Sequence, residues 1–182
     1  MLELRFHGRG GQGGVTSAEL LALAAIADGK HAQAFPSFGP ERRGAPVKAF
    51  ARISDAQIRN RTAVTTPNIA VVLDPSLLTI VNTSEGLAED GIQIVNSTHS
   101  AKALRDEIGL KGKIVVVDAN KIAAEEIGRV ITNTTMLGAL VKATGIVSTD
   151  LLIEQLKKRF GRIAEGNIKA FNRAYEEAKI AE

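Results

Sequence analysis

Apolar and polar positions alternate along this chain in blocks that read as strands and helices in turn. Leu2-Glu3-Leu4-Arg5-Phe6 alternates with the period of two that a half-buried strand requires. Ser17 to Ile26 is a run of good helix formers, stopped at Asp28-Gly29-Lys30. His31-Ala32-Gln33-Ala34-Phe35 predicts a second strand, and Val47 to Ile53 a third. Only a short loop precedes that third strand, so it is expected to run antiparallel to its neighbour. Ser54 to Thr66 is polar and reads as a connection. Ile69-Ala70-Val71-Val72-Leu73 is apolar throughout, as a strand covered on both faces would be. Asp74-Pro75-Ser76 ends it and caps a short helix through Val81. Ile92–Asn96 and Ile114–Asp118 are two further strands, and Asp118-Ala119-Asn120 starts a helix over Lys121–Ile127.

The last third of the chain reads as helical. Thr132 to Thr135 is expected to cap a helix over Met136–Lys142, and Ser148 to open one running through Arg159 with Leu151, Leu152 and Leu156 on one stripe. Ile163 to Ile180 predicts a last helix whose apolar side is Ile168, Phe171, Ala174, Tyr175 and Ala178. Strands alternating with helices give the α/β class: one three-layer domain over 1–182, with a mixed, mostly parallel sheet and a C-terminal helical segment.

Between the first strand and the first helix stands Gly8-Arg9-Gly10-Gly11-Gln12-Gly13-Gly14, in which five of seven residues are glycine. Glycine admits positive φ and close approach of backbone to a ligand. The next helix begins near Val15 or Thr16, and its first N–H groups have no partners within the helix. With the helix dipole and the charge of Arg9, this is an anion site or a tight contact with another chain. A close-packed strand-to-helix turn without a ligand is the ordinary alternative, but Arg9 and Gln12 have no evident packing reason to be polar. Gly8, Gly10 and Gly13 also satisfy G-x-G-x-x-G, which suggests a stand-alone nucleotide-binding Rossmann-like protein. That pattern wants a carboxylate at the end of the second strand. Here the strand runs into Pro36, and Asp28 lies before it.

A second candidate loop is Pro36-Ser37-Phe38-Gly39-Pro40-Glu41-Arg42-Arg43-Gly44-Ala45-Pro46, which holds three of the five prolines. Proline stiffens the frame that presents Glu41, Arg42 and Arg43. Glu41 reads either as a general base or as an ion-pair partner. Asp74 reads as a catalytic carboxylate or as the cap of the helix that follows it.

Composition narrows the function classes. The chain is 45% hydrophobic and 24% charged, as ordinary globular proteins are. No apolar run reaches the about 18–20 residues that span a membrane. Met1-Leu2-Glu3 opens on a strand pattern, so no signal peptide is expected and the location reads as cytoplasmic. There is no cysteine, so this chain offers no thiolate nucleophile and no ligand set for an iron–sulfur cluster. His7, His31 and His99 lack metal-site spacing. Residues 1–62 carry nine basic against five acidic side chains, a net +4 in a chain whose total is +3. That excess attracts phosphates or an acidic partner. Aromatics are only 4% and no basic helix stands out, which disfavours nucleic acid. No nucleophile–base pair, P-loop lysine or metal cluster is visible, so the residues describe a ligand-positioning or interface subunit rather than a complete enzyme.

Four segments in order carry a resemblance: Gly8–Gly14, Ser37-Phe38-Gly39-Pro40-Glu41-Arg42-Arg43-Gly44, Asp74-Pro75 and Asn133-Thr134-Thr135-Met136-Leu137-Gly138-Ala139. Together with Asn167-Ile168-Lys169-Ala170-Phe171 they resemble the gamma subunit of 2-oxoacid:ferredoxin oxidoreductases, over nearly the whole chain. The resemblance implies a multi-subunit enzyme that oxidatively decarboxylates a 2-oxo acid to an acyl-CoA and passes electrons to ferredoxin or a similar acceptor. It implies pyruvate, or a related branched-chain or aromatic acid, as substrate. It also implies that thiamine diphosphate, Mg and iron–sulfur clusters sit in partner subunits, with coenzyme A as co-substrate and no cofactor bound by this chain alone. No thiamine-diphosphate motif occurs here. On this resemblance no residue of the chain is catalytic. Gly8, Arg9, Gly10, Gly11, Gln12 and Gly13, with Glu41, Arg42, Arg43, Asn133 and Thr134, would form a loop surface bordering the partner subunits or the CoA path.

Overall fold

The computed structural model describes residues 1–37 and 43–181. Seven strands form one sheet: β1 (Leu2–Arg9), β2 (His31–Pro36), β3 (Pro46–Ser54), β4 (Ile69–Val72), β5 (Ile92–Asn96), β6 (Lys113–Val117) and β7 (Lys179–Ala181). The helices are α1 (Gly14–Ala27), α2 (Ala101–Ile108), α3 (Ala119–Ile127), α4 (Asn133–Thr144), α5 (Thr149–Phe160) and α6 (Ala164–Glu177). The strand order is β2-β3-β1-β4-β5-β6-β7. Parallel pairing joins β1, β4, β5 and β6, while β3 lies antiparallel between β1 and β2, as the short loop before it predicted. β7 is antiparallel to β6, so the sheet is mixed with five strands running one way.

The pleat sorts β1 as its pattern requires. Leu4 and Phe6 enter the larger core, with Ile69, Val71, Ile94, Val115 and residues of α1 and α4. A smaller core on the opposite face joins Val72, Val95, Ile114 and Val116 to Leu104 of α2 and to Leu77 and Leu78. Helices thus cover both faces, giving three layers. Over β3 and β1 the face of the smaller core carries the polar side chains of Arg5, His7 and Arg52 beside the Phe35–Phe50 pair, and loops reach over it. Arg5 is buried, donating to His7 Nε2 at 3.0 Å, to Thr83 O at 3.2 Å and to Glu85 O. Arg52 donates to Glu3 Oε1 at 2.7 Å and to Asn60 O at 3.4 Å, and lies 5.4 Å from the Phe35 ring centroid.

Several expectations need correction. Asp74 caps a short helix as expected, but it is a 3-10 turn over Pro75–Thr79 that ends before Val81. The helix placed at Met136 starts at Asn133, and neither Thr132 nor Ser148 caps its helix with its side chain. α2 was not anticipated; it is short, and Ser100 caps it by accepting from Ala103 N at 3.2 Å. The last helix stops at Glu177, because Lys179–Ala181 pairs with the edge of β6. Phe171 and Ala174 of α6 are buried, but Tyr175 is exposed. α4 and α6 approach so closely that a Cβ on Gly138 would stand 2.1 Å from Phe171 O.

Candidate functional site

The glycine segment lies where β1 ends, beside the end of β4. At this point the connection from β1 turns toward β2, while β4 and β5 extend the sheet the other way. Such a reversal opens a crevice at the strand ends in α/β sheets. Glycine is needed at two positions for reasons the sequence could not specify. A Cβ on Gly8 would lie 3.1 Å from Leu73 Cδ1, and Gly13 has φ +81° with Asn133 Nδ2 only 2.5 Å from where its Cβ would be. Gly13 is the N-cap of α1, so the chain turns into the helix directly beneath the first residue of α4.

Arg9 and Gln12 have partners within the chain. Gln12 Oε1 accepts from Arg9 N at 2.7 Å, and Gln12 Nε2 donates to Asp74 Oδ2 at 2.7 Å. The Arg9 guanidinium donates through Nε to Asp74 Oδ2 at 3.2 Å, through Nη1 to Gly44 O at 3.0 Å and through Nη2 to Ser76 Oγ at 2.8 Å. Asp74 Oδ1 accepts from Ser76 N at 2.9 Å and Ser76 Oγ at 2.7 Å. Partial burial pushes the Asp74 carboxyl up. The Ser76 and Gln12 hydrogen bonds and the Arg9 charge outweigh it and hold the group below its usual range. The polar residues of the glycine turn therefore clamp it to the end of β4. This corrects the reading that they lack a packing role.

The prolyl loop is joined to the same place. Gly10 N donates to Ala45 O at 2.9 Å, and Gly44 N to Gly10 O at 3.2 Å. Arg43, next to that contact, is exposed. Glu41 and Arg42 lie outside the described residues. From the other side Ser17 Oγ stands 3.2 Å from both Gly13 O and Asn133 O. Thr132 Oγ1 and Asn96 Nδ2 both donate to Leu73 O, at 3.2 and 2.8 Å. Asn96 also accepts from Ala119 N at 3.0 Å and donates to Asn120 Oδ1 at 2.9 Å, fixing the start of α3.

Gly8–Gly13, Arg43 and Asn133 thus come to one end of the sheet. Thr134 does not: it is fully buried and donates to Asn167 Oδ1 of α6 at 2.9 Å, a packing contact. Asn133 Oδ1 and Thr135 Oγ1 are buried without a hydrogen-bond partner among the described residues. Asp74, read from the sequence as a catalytic carboxylate or a cap, takes the capping role, and Ser76, Asn96 and Thr132 complete the cluster without having been singled out as site residues. The signal that could have found them was the presence of Arg9 and Gln12 in a glycine turn, since polar side chains in a tight turn need partners.

The dinucleotide reading loses its geometry. β3 stands antiparallel between β1 and β2, so the end of β2 is one strand farther from the glycine turn than in a dinucleotide fold. Among the described residues no group of three His, Cys, Asp or Glu side chains could hold a metal ion. No helix there is long and apolar enough to cross a membrane.

Comparison with known proteins agrees with this arrangement. The family model of pyruvate ferredoxin/flavodoxin oxidoreductase matches residues 3–177. The chain is 50% identical to the pyruvate/ketoisovalerate oxidoreductases common subunit gamma of Pyrococcus abyssi, over all of both chains. It is 51% identical to pyruvate synthase subunit PorC of Methanothermobacter thermautotrophicus, covering 97% of this chain and 96% of that one. The crystal structure of pyruvate oxidoreductase subunit PORC from Thermotoga maritima superimposes with a TM-score of 0.88 at 44% identity, covering 100% and 98% of the two chains. The fold alone recurs, at a TM-score of 0.77 and 20% identity, within 30% of a 2-oxoglutarate:ferredoxin oxidoreductase chain from Magnetococcus marinus. The chain belongs to the pyruvate ferredoxin/flavodoxin oxidoreductase family, as a subunit of its gamma or PorC type.

Proposed function

We propose that this chain is the non-catalytic but required gamma subunit of a cytoplasmic enzyme that converts a 2-oxo acid to an acyl-CoA and delivers the electrons to ferredoxin or a similar acceptor. The names of its relatives support pyruvate or a branched-chain 2-oxo acid as substrate. In this reading thiamine diphosphate with magnesium and the iron–sulfur clusters belong to partner subunits. The chain itself has no cysteine to ligate a cluster. The observation that carries the reading is convergence. Segments far apart in sequence, Gly8–Gly14, Gly44–Ala45, Asp74–Ser76 and Asn133, are tied into one surface at the strand ends. A surface held this rigidly loses little entropy when a partner or ligand meets it.

That surface borders the CoA path. Its backbone N–H groups at the start of α1 and the basic excess of residues 1–62 suit an anion. Arg9 acts there by holding the loop, since each of its guanidinium nitrogens already has a partner. The test is steady-state kinetics on the complex carrying Arg9→Ala, with subunit stoichiometry checked first. The Michaelis constant for CoA should rise more than that for the 2-oxo acid. An unchanged CoA constant in a fully assembled variant overturns the CoA assignment. Full turnover by the remaining subunits without this chain overturns the subunit role.

A further inference from the structure

Two helix stops, at the ends of α3 and α5, push the same kind of residues into solvent at one corner of the molecule. α3 ends on Gly128 at φ +76°, after which Arg129-Val130-Ile131 stands outward; α5 ends on Gly161 at φ +51°, after which Arg162-Ile163 does the same. Glycine takes a positive φ without steric cost at both places, in the left-handed helical conformation at Gly128 and with a ψ of −116° at Gly161. Ile163 is 68% exposed, Val130 62% and Ile131 41%. Between the two stops lies a cavity of about 480 Å3 with Ile127, Ile131, Phe160 and Ile163 as its apolar wall, and Asn133, Asn167, Glu126 and Arg129 as its polar groups. Exposed apolar side chains gathered around a cavity with one apolar wall mark a surface that is covered in use.

We propose that this corner docks a neighbouring subunit of the same oxidoreductase, which places an apolar side chain in the cavity and carboxylates against Arg129 and Arg162. The proposal rests on the reading of the chain as one subunit of a larger enzyme. Three features select that occupant. A small ligand in the cavity would leave Val130 and the outer face of Ile163 in water, whereas a protein surface covers both. The unpaired charge at the rim is cationic: Arg129 and, beside Ile163, Arg162 are exposed and form no ion pair among the described residues, while Glu126 of the lining is already paired with Arg173 at 3.0 Å. A second copy of this chain docked through the same patch would bring like charges together, while an acidic partner is attracted. The corner is also continuous with the strand-end cluster, because Asn133 both lines the cavity and packs on Gly13. A subunit seated here would reach the clamped loops.

The test uses the complete complex, isolated first with the unaltered chain. Failure to obtain any complex at that stage counts against the subunit reading and is seen before a variant is made. A photo-crosslinking residue is then placed at position 163, and separately Ile163→Glu and Arg162→Glu are introduced. Both side chains are exposed, so thermal unfolding of each variant chain should match the unaltered one. The expected result is a crosslink to a chain of different mass, with at least tenfold weaker retention of Ile163→Glu in the complex. Arg162→Glu should weaken retention less, and raised salt should narrow its difference from the unaltered chain. Full retention of Ile163→Glu overturns the proposal, as does crosslinking only to another copy of this chain.

Discussion

His7 shows how the setting of a single side chain carries over into stability. It is buried, its Nε2 accepts from Arg5 Nε at 3.0 Å, and it is therefore neutral with its proton on Nδ1. Burial, then the charges of Arg5 and Lys48, push its pKa down to about 3. In the unfolded chain the imidazole takes a proton as pH falls below about 6.5, while the folded protein resists until about 3. Stability from this group is therefore complete above 6.5 and falls with acid across that window. At about 1.4 kcal/mol per pH unit, roughly 3 kcal/mol should be lost by pH 4. Urea unfolding between pH 7 and pH 4 should show that slope, and His7→Gln should flatten it; equal slopes in both proteins would refute the assignment. Asp74 is the other decisive residue. Asp74→Asn removes the charge that holds Arg9 and should cost about 1.5–3 kcal/mol, the usual value for hydrogen bonds to a charged group. Amide exchange at Gly10–Gly14 should quicken in that variant, and unchanged exchange would mean that the clamp is not what holds the turn.

Among the elements, the contact of α4 with α6 depends on Gly138. The added Cβ of Gly138→Ala would meet the carbonyl of Phe171 at 2.1 Å and Tyr175 N at 3.0 Å. Backbone cannot swing aside as a flexible side chain can, so the helices must part. Overpacking of this kind costs about 1–3 kcal/mol, and here the upper end is expected. Gly128→Ala meets nothing within 4 Å and bears only the strain of its positive φ, about 1 kcal/mol. Denaturation midpoints of the two variants should rank in that order, and the reverse ranking would show that α4 and α6 have room to spare. Gly166 in α6 stands in the same relation to α3, with Glu126 O 2.7 Å from a would-be Cβ. Small residues thus set the spacing of the helical layer that holds Asn133 over the glycine turn.

At the scale of the whole molecule, each segment of the cluster lies where the sheet order puts it. β1 and β4 are adjacent and parallel although about sixty residues separate them, so Arg9 reaches Asp74. β3 returns antiparallel beside β1, so Gly44 and Ala45 reach Gly10. On the two proposals above, the remaining surfaces divide into a strand-end face for ligand or partner and the Arg129–Ile163 corner for a partner alone. The Arg9→Ala and Ile163→Glu complexes should therefore fail differently. The first should assemble and bind CoA poorly, and the second should assemble poorly.

The sequence by itself determined the class of fold and nearly every strand, because a period of two in β1 and an unbroken apolar run in β4 are local properties of the chain. It also determined the turn at Gly8–Gly14 and the absence of thiolate ligands, and four ordered segments were enough for the family. Only the tertiary structure decided which way Arg9 points, because its partners Gly44, Asp74 and Ser76 are 35 to 67 residues away. The same holds for Thr134, whose hydroxyl reads as a site residue until α6 brings Asn167 to it. β7 could not be read locally either. Lys179–Ala181 continues a helical pattern, and it becomes a strand because β6 would otherwise be an open edge with unpaired N–H and C=O groups.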